Sequence, residues 1–247
     1  GYTNDRYFYA DMNGTSFISK AANMAASKGI LVVNAAGNEG SDDWRFIGAP
    51  ADADSVLAVG GISPSSELRV FFSSFGPTSD DRLKPNIAAF GWAIAEGKKG
   101  LSRVPGTSFA SPLACGFVAC ARQAFPEMKT MDLFHRVEHS GSLYPYYDYG
   151  HGYGIPSARK LFEGFEEVEV TFEVEEKDGV FSFVNNGDRP VYNNYVYYHI
   201  ADGNGKIRIW KVKEAKALRF KLIETDELKE GEVLKVFYNQ MIIDIKG

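Results

Sequence analysis

Only two cysteines occur in the 247 residues, a scarcity that excludes a fold held together by a disulfide framework. Cys115 and Cys120 lie five apart in a segment that reads as one helix. A helix rises about 1.5 Å per residue, so they stand about 7.5 Å apart along the axis alone. That exceeds the roughly 6.8 Å Cα separation a disulfide tolerates, and two buried free thiols are expected. No run approaches the roughly 18 apolar residues of a spanning helix, so no membrane span is expected. Charge of one sign is scarce too: the net charge is −5, which argues against electrostatic capture of nucleic acid or an anionic membrane. There is no initiator methionine and no signal-peptide pattern, so Gly1 reads as a cut or processing boundary. Internal repeats and low-complexity stretches are absent.

What is present is a globular composition, 45% hydrophobic and 24% charged, sufficient for a buried core. The charge is uneven. Residues 1–165 hold 16 acidic and 15 basic side chains, whereas residues 166–247 hold 16 and 12, which places a change of composition near residue 165.

Residues 16–28 (SFISKAANMAASK) place Ile18, Ala21, Ala22 and Ala25 on one helical face, and Gly29 follows as a left-handed cap. Ile30–Ala36, Val56–Ile62 and Ile87–Phe90 are short and apolar, as buried parallel strands are. Thr107–Ala124 reads as a helix rich in small residues, 130–139 as another, and Ser157–Phe162 as a short one capped by Ser157. From about residue 167 the pattern changes to short strands separated by Gly, Asn and Asp. These are Val168–Val174, Val180–Val184, Val191–Ile200, Lys206–Val212, Leu218–Ile223, Val233–Tyr238 and Met241–Ile245, the spacing of an antiparallel β-sandwich. The aromatics of this region, Trp210 among them, are expected in its core, and the Tyr-rich run Tyr144–Tyr153 is expected to pack.

The segment Gly106-Thr107-Ser108-Phe109-Ala110-Ser111-Pro112-Leu113-Ala114-Cys115-Gly116 carries the strongest chemical signal. Thr107 or its neighbour caps a helix, which sets Ser108 in the first turn, where free N–H groups and the positive dipole end favour an anion. Pro112 cannot donate to the Ser108 carbonyl, which loosens that turn. Gly106 would let a bound chain approach closely. Upstream, Val33-Asn34-Ala35-Ala36-Gly37-Asn38-Glu39-Gly40 places an Asn amide at a strand end, a neutral donor that polarises a carbonyl without titrating.

These two blocks resemble the nucleophile and oxyanion-hole motifs of the subtilases, the subtilisin-like serine peptidases. A third block, Phe72-Ser73-Ser74-Phe75-Gly76-Pro77 with Lys84-Pro85-Asn86, resembles the family's F-S-S-x-G-P and K-P-D segments, with Asn86 in place of the usual Asp and Phe90 where A-P-G would have Pro. The resemblance runs from Asp11-Met12-Asn13-Gly14 to Gly152-Tyr153-Gly154-Ile155-Pro156, about two-thirds of the chain. It implies an α/β fold: an incomplete subtilisin-like parallel sheet with helices over residues 1–165, followed by a fibronectin type III-like β-sandwich over 166–247. It implies Ser108 as nucleophile, Asn38 in the oxyanion hole, Gly106 and Thr107 in substrate binding, no cofactor or metal, and a peptide or protein substrate. A secreted, periplasmic or cell-surface location follows from the family alone.

The family's D-[ST]-G and H-G-T-H segments are missing, and all four histidines (His135, His139, His151 and His199) come after Ser108. Each reads as surface or structural. The implied enzyme, a serine endopeptidase, is therefore expected to be truncated and inactive as it stands. The alternative is a non-catalytic pseudo-peptidase that binds through the β-sandwich. His135-Arg136-Val137-Glu138-His139 matches the zinc pattern H-x-x-E-H, but a charged, solvated helix face accounts for it better. A sheet that begins at Ile30–Ala36 would leave an apolar edge open, with dimerisation or rearrangement expected there.

Overall fold

The computed structural model describes residues 7–97, 100–164, 171–187 and 194–247. The chain divides into two compact units, Gly1–Gly164 and Phe165–Gly247.

The first unit is built on three parallel strands, β1 (Val32–Ala35), β2 (Val56–Ile62) and β3 (Ile87–Phe90), in the order β1-β2-β3. The central strand β2 is buried along its whole length, which is why its sequence runs apolar without alternation. Its side chains still divide by parity. Leu57 and Val59 join Ile87 and Ala89 in the main core, while Ala58 packs with Ala36, Ile47 and Ala51 on the other face.

Three helices complete the main core. Helix α2 (Thr107–Ala124) contributes the stripe Ala110, Ala114, Val118 and Ala121, α3 (Thr130–His139) adds Leu133, Phe134 and Val137, and α4 (Ala158–Glu163) adds Leu161. Burying each of the larger apolar side chains stabilises the unit by about 1.5–3 kcal/mol. Helix α1 (Phe17–Ser27) begins at Ser16, whose Oγ accepts the Ser19 N–H at 3.2 Å, and ends before Gly29 at φ +90°. Ser157 caps α4 in the same way, accepting from Lys160 N. Strand β1 is the sheet's edge, and among the described residues nothing pairs with its outer side.

Two expectations fail in this unit. Cys115 and Cys120 are exposed. The small residues of α2 that reach the core lie on one stripe, and both thiols fall off it. Two unexpected strands, β4 (Trp92–Gly97) and β5 (Gly100–Pro105), pair antiparallel. Their pattern gives little sign of a strand, because Ile94 and Leu101 are 67% and 77% exposed. The Arg103 guanidinium lies 4.3 Å from the Trp92 ring centroid, a contact between residues of opposite strands.

The second unit has two antiparallel sheets. β6 (Phe172–Lys177), β7 (Val180–Asn185) and β10 (Arg219–Glu224) run in the order β10-β7-β6; β8 (Tyr195–Ala201), β9 (Ile207–Glu214), β11 (Val233–Tyr238) and β12 (Met241–Lys246) run β12-β11-β8-β9. One apolar cluster joins them: Phe172, Phe183 and Leu222 from the first sheet meet Val196, Tyr198, Leu234 and Tyr238 from the second. Residues 168–170 and 191–193 of the expected strands lie outside the described residues. Trp210 is only half-buried, so it is not a core residue; on β9 its neighbour Ile209 packs against the cluster, and successive strand residues face opposite ways. Among the described residues no helix is long and apolar enough to cross a membrane.

Candidate active site

Helix α2 starts at Gly106, which makes no side-chain cap. The expected local cap is replaced by one from a distant loop: Asn38 Oδ1 accepts the Thr107 N–H at 2.8 Å and the Thr107 hydroxyl at 3.0 Å. The same hydroxyl lies 3.2 Å from the Gly37 carbonyl and 3.3 Å from the Gly37 N–H. Gly106 is buried at φ +154°, a backbone state that favours glycine, and the Phe109 ring lies over it.

This geometry fixes the orientation of the Asn38 amide. A backbone N–H can only donate, so the atom facing Thr107 N must be the Asn38 oxygen. The Nδ2 donor is thereby turned away from Thr107, and among the described residues it has no partner. Ser108 stands in a similar position. The first N–H groups of a helix lack intrahelical acceptors; that of Thr107 goes to Asn38 and that of Phe109 to the Gly106 carbonyl, while Ser108 N–H and Oγ are left without a partner among the described residues. Ser108 and Asn38 are both exposed, whereas Thr107 between them is fully buried. Residues 34–39, Gly48, Ala49, Thr107 and Ser108 line one cavity of about 310 Å³.

Glu39 holds the loop from below. Its Oε2 accepts the Asn38 backbone N–H at 2.7 Å and the Ser74 hydroxyl at 3.0 Å, and Ser74 Oγ in turn accepts the Glu39 N–H. Gly37 sits at φ +121°, and a Cβ there would lie 2.5 Å from Glu39 Oε2 and 2.7 Å from Ser74 Oγ. Only glycine fits.

The histidines are engaged elsewhere. His151 is buried, its Nδ1 lies 2.9 Å from Asp148 Oδ1, and its Nε2 accepts the Arg69 N–H at 2.9 Å. Both ring nitrogens are occupied. Burial alone would raise the Asp148 carboxyl; its contacts with His151 and with the N–H groups of His151 and Gly150 outweigh that and hold it below the usual carboxylate range. Sequence reasoning missed this pair because a D-x-x-H spacing inside an aromatic run carries no signal of its own. His135 Nδ1 bonds Glu138 Oε2 at 2.8 Å, and His139 stacks near Tyr144.

The H-x-x-E-H pattern thus resolves into structure. Glu138 is buried and accepts from Asn86 Nδ2 at 2.8 Å as well as meeting His135. Among the described residues no group of three or more His, Cys, Asp or Glu could hold a metal ion. The Asn at position 86 has a reason here. Its Oδ1 accepts from Ala58 N and Lys84 Nζ while its Nδ2 donates to Glu138, a combination that an ionised Asp could not make. Burial lowers the Lys84 pKa to about 7.

Comparison with known proteins agrees with the motifs. A family-wide sequence pattern described as the subtilase family matches residues 8–154. The chain is 34% identical over 125 residues to Subtilisin-like protease SBT6.1 of Arabidopsis thaliana, covering 47% of this chain and 12% of that protein. It is 32% identical over 126 residues to Subtilisin DY of Bacillus licheniformis, covering 51% and 44% respectively. Among solved structures, Sphericase aligns with a TM-score of 0.48 and 25% identity over 56% of this chain and 51% of its own. The chain spans less than half the length of these curated relatives.

Proposed function

The chain belongs to the subtilase family, and from that premise we propose that it carries the nucleophile and oxyanion pocket of a serine endopeptidase. Ser108 Oγ attacks a peptide carbonyl carbon. The oxygen of the tetrahedral intermediate is held by Asn38 Nδ2 and Ser108 N–H, two donors that no other group occupies among the described residues. Thr107 aligns the amide, and Glu39 with Ser74 fixes the loop that presents it. The observation that carries this reading is the Asn38–Thr107 contact, because it orients an otherwise ambiguous amide with its donor free. Donors fixed in advance of charge development are the largest electrostatic contribution in acyl transfer.

The base that would take the Ser108 proton, and the carboxylate that would orient it, belong in this proposal to a segment beyond these 247 residues. His151 cannot serve, since its Nε2 already accepts a backbone N–H. Hydrolysis by the 247-residue chain alone is therefore expected to be negligible. The open edge of β1 is where such a segment, or a second copy of the chain, would pair. Placement outside the cytoplasm belongs to the same reading. The second unit, with three strands facing four across a shared cluster, fits a fibronectin type III-like sandwich.

A peptide boronic acid tests the site without needing the base. Boron NMR should show tetrahedral boron on the chain. Ser108→Ala should abolish the adduct, and Asn38→Leu should weaken it about 10- to 100-fold, since one hydrogen bond to a charged oxygen contributes about 1.5–3 kcal/mol. An adduct indifferent to both substitutions refutes the peptidase reading and leaves a scaffold that binds by other means.

A further inference from the structure

Helix α3 ends in a pair of imidazoles that the fold leaves outside, and we infer that His135 and His139 together bind a divalent transition-metal ion of the copper, nickel and zinc class. This site stands apart from the peptidase reading and shares no residue with it. The two histidines are four positions apart in α3, a spacing that sets side chains on one helical face with Cβ atoms about 5–6 Å apart. Both are exposed, and their ring centroids lie 6.4 Å apart.

Glu138 decides what the pair can do. In a zinc-peptidase pattern the glutamate would stand beside the ion as a base. Here it is buried, with Oε1 accepting from Asn86 Nδ2 and Oε2 2.8 Å from His135 Nδ1. That arrangement removes the hydrolytic base but supports ligation. A carboxylate only accepts, so the His135 ring proton sits on Nδ1 and Nε2 keeps its lone pair. A carboxylate behind a ligating imidazole fixes its tautomer and raises its basicity. The His135 side chain is 56% exposed, and nothing among the described residues bonds its Nε2. His139 makes no hydrogen bond among the described residues, and its ring lies 4.4 Å from that of Tyr144. Two nitrogens each about 2.0–2.1 Å from one ion stand about 3–3.5 Å apart, a closure that a rotamer change of His139 supplies.

The surrounding charge favours a cation. Both histidines sit toward the C-terminal end of α3, the negative end of its dipole. Asp132 is exposed on the same face, one turn before His135. Arg136 is turned away: its Nε donates to the Leu161 carbonyl at 2.9 Å and its guanidinium lies 4.5 Å from the Phe125 ring centroid. Imidazole nitrogens suit copper, nickel and zinc, whereas calcium and magnesium take oxygen ligands. With two protein ligands, and no group of three among the described residues, water fills the remaining positions. Affinity should then follow the general order for nitrogen sites, copper above nickel and zinc.

The test titrates the intact chain with Cu²⁺, Ni²⁺ and Zn²⁺ by calorimetry, and maps Cu²⁺ by its paramagnetic broadening of amide signals. Cys115 and Cys120 are exposed thiols that compete for these ions, so the parent chain carries Cys115→Ser and Cys120→Ser. One ion should bind per chain, broadening should centre on residues 135–140 and Tyr144, and excess Ca²⁺ or Mg²⁺ should not displace it. His135→Ala and His139→Ala should each weaken binding about tenfold or more, since losing even a group behind a ligand costs about 10- to 100-fold. Amide spectra unchanged elsewhere show that the fold is intact. Glu138→Gln is the sharper variant. Its Oε1 still accepts from Asn86, but its amide nitrogen would donate to His135 Nδ1 and move the ring proton to Nε2. Affinity should fall about tenfold although residue 138 touches no metal, and the imidazole nitrogen shifts should report the changed tautomer.

Affinity unchanged by either alanine substitution, broadening centred elsewhere on the chain, or displacement by Ca²⁺ each overturns the inference. Affinity unchanged in Glu138→Gln with the ring proton moved does so too, because His135 Nε2 would then not be the ligand.

Discussion

Ser108 and His151 lie in the same unit and differ in how much of their bonding capacity is already in use. Ser108 is exposed, and its hydroxyl and N–H have no partner among the described residues. His151 is buried, with Asp148 on one ring nitrogen and a backbone donor on the other. A serine without a base and a base–carboxylate pair without a nucleophile would together resemble a triad, but the hydrogen bonds assign them opposite roles. Unused donors and acceptors mark where a ligand can enter. Fully paired ones mark where the fold is held.

The largest effect should come from breaking the paired side of that contrast. Asp148→Ala removes the partner of a buried imidazole and the acceptor for the N–H groups of Gly150 and His151. Removing one member of a buried pair costs about 3–5 kcal/mol, so the first unit should unfold at markedly lower denaturant concentration. The Asp148 pKa is depressed in the folded state, so its contribution is present above the unfolded carboxylate pKa and is lost as pH falls through the folded one. Asp148→Ala should flatten that acid limb. An unchanged denaturation midpoint would show that the pair is not structural.

Next in size is the buried network around Asn86. Asn86→Asp would set a carboxylate against Glu138 Oε1, at 2.8 Å from the present amide, and destabilise the unit by about 1–3 kcal/mol through a lost hydrogen bond and an unsatisfied acceptor. Adding Glu138→Gln restores a donor–acceptor pair in reverse and should recover most of that loss. A double substitution no better than the single one would place the cause elsewhere.

Much of the first unit was legible in the sequence, because its elements carry local signals. The apolar run of β2 and the Ser16 and Ser157 caps each follow from hydrophobic pattern or capping chemistry. Ser108 and Asn38 were legible only as a motif. What joins them is Thr107, whose role depends on a contact across 69 positions of chain. Strands β4 and β5 carry no local signal since their apolar residues Ile94 and Leu101 face outward, and the exposure of the thiols depends on which face of α2 is covered, which helix content does not say. Non-local pairing decided each case that the residues alone left open.

Per pH unit, Lys84 gives a smaller effect on the paired side. Burial lowers its folded pKa to about 7, against about 10.4 when unfolded. Between those values the unfolded chain binds a proton that the folded chain does not, so stability should rise with pH across that window. The slope cannot exceed one proton, about 1.4 kcal/mol per pH unit. Lys84→Met should abolish that slope in unfolding curves measured from pH 7 to 10, and a slope that survives belongs to another group.

The smallest effect should come from the unpaired side. Ser108→Ala removes a hydroxyl that makes no hydrogen bond among the described residues and leaves no buried group unsatisfied. Substitutions away from packed or paired features usually change stability by no more than about 0.5 kcal/mol, and alanine is at least as good a helix former as serine. Denaturant titration should therefore separate Ser108→Ala from the native chain by less than that amount, in either direction. A loss comparable to that of Asp148→Ala would mean that the hydroxyl is engaged in holding the fold. The contrast between an open site and a closed one would then fail at its first residue.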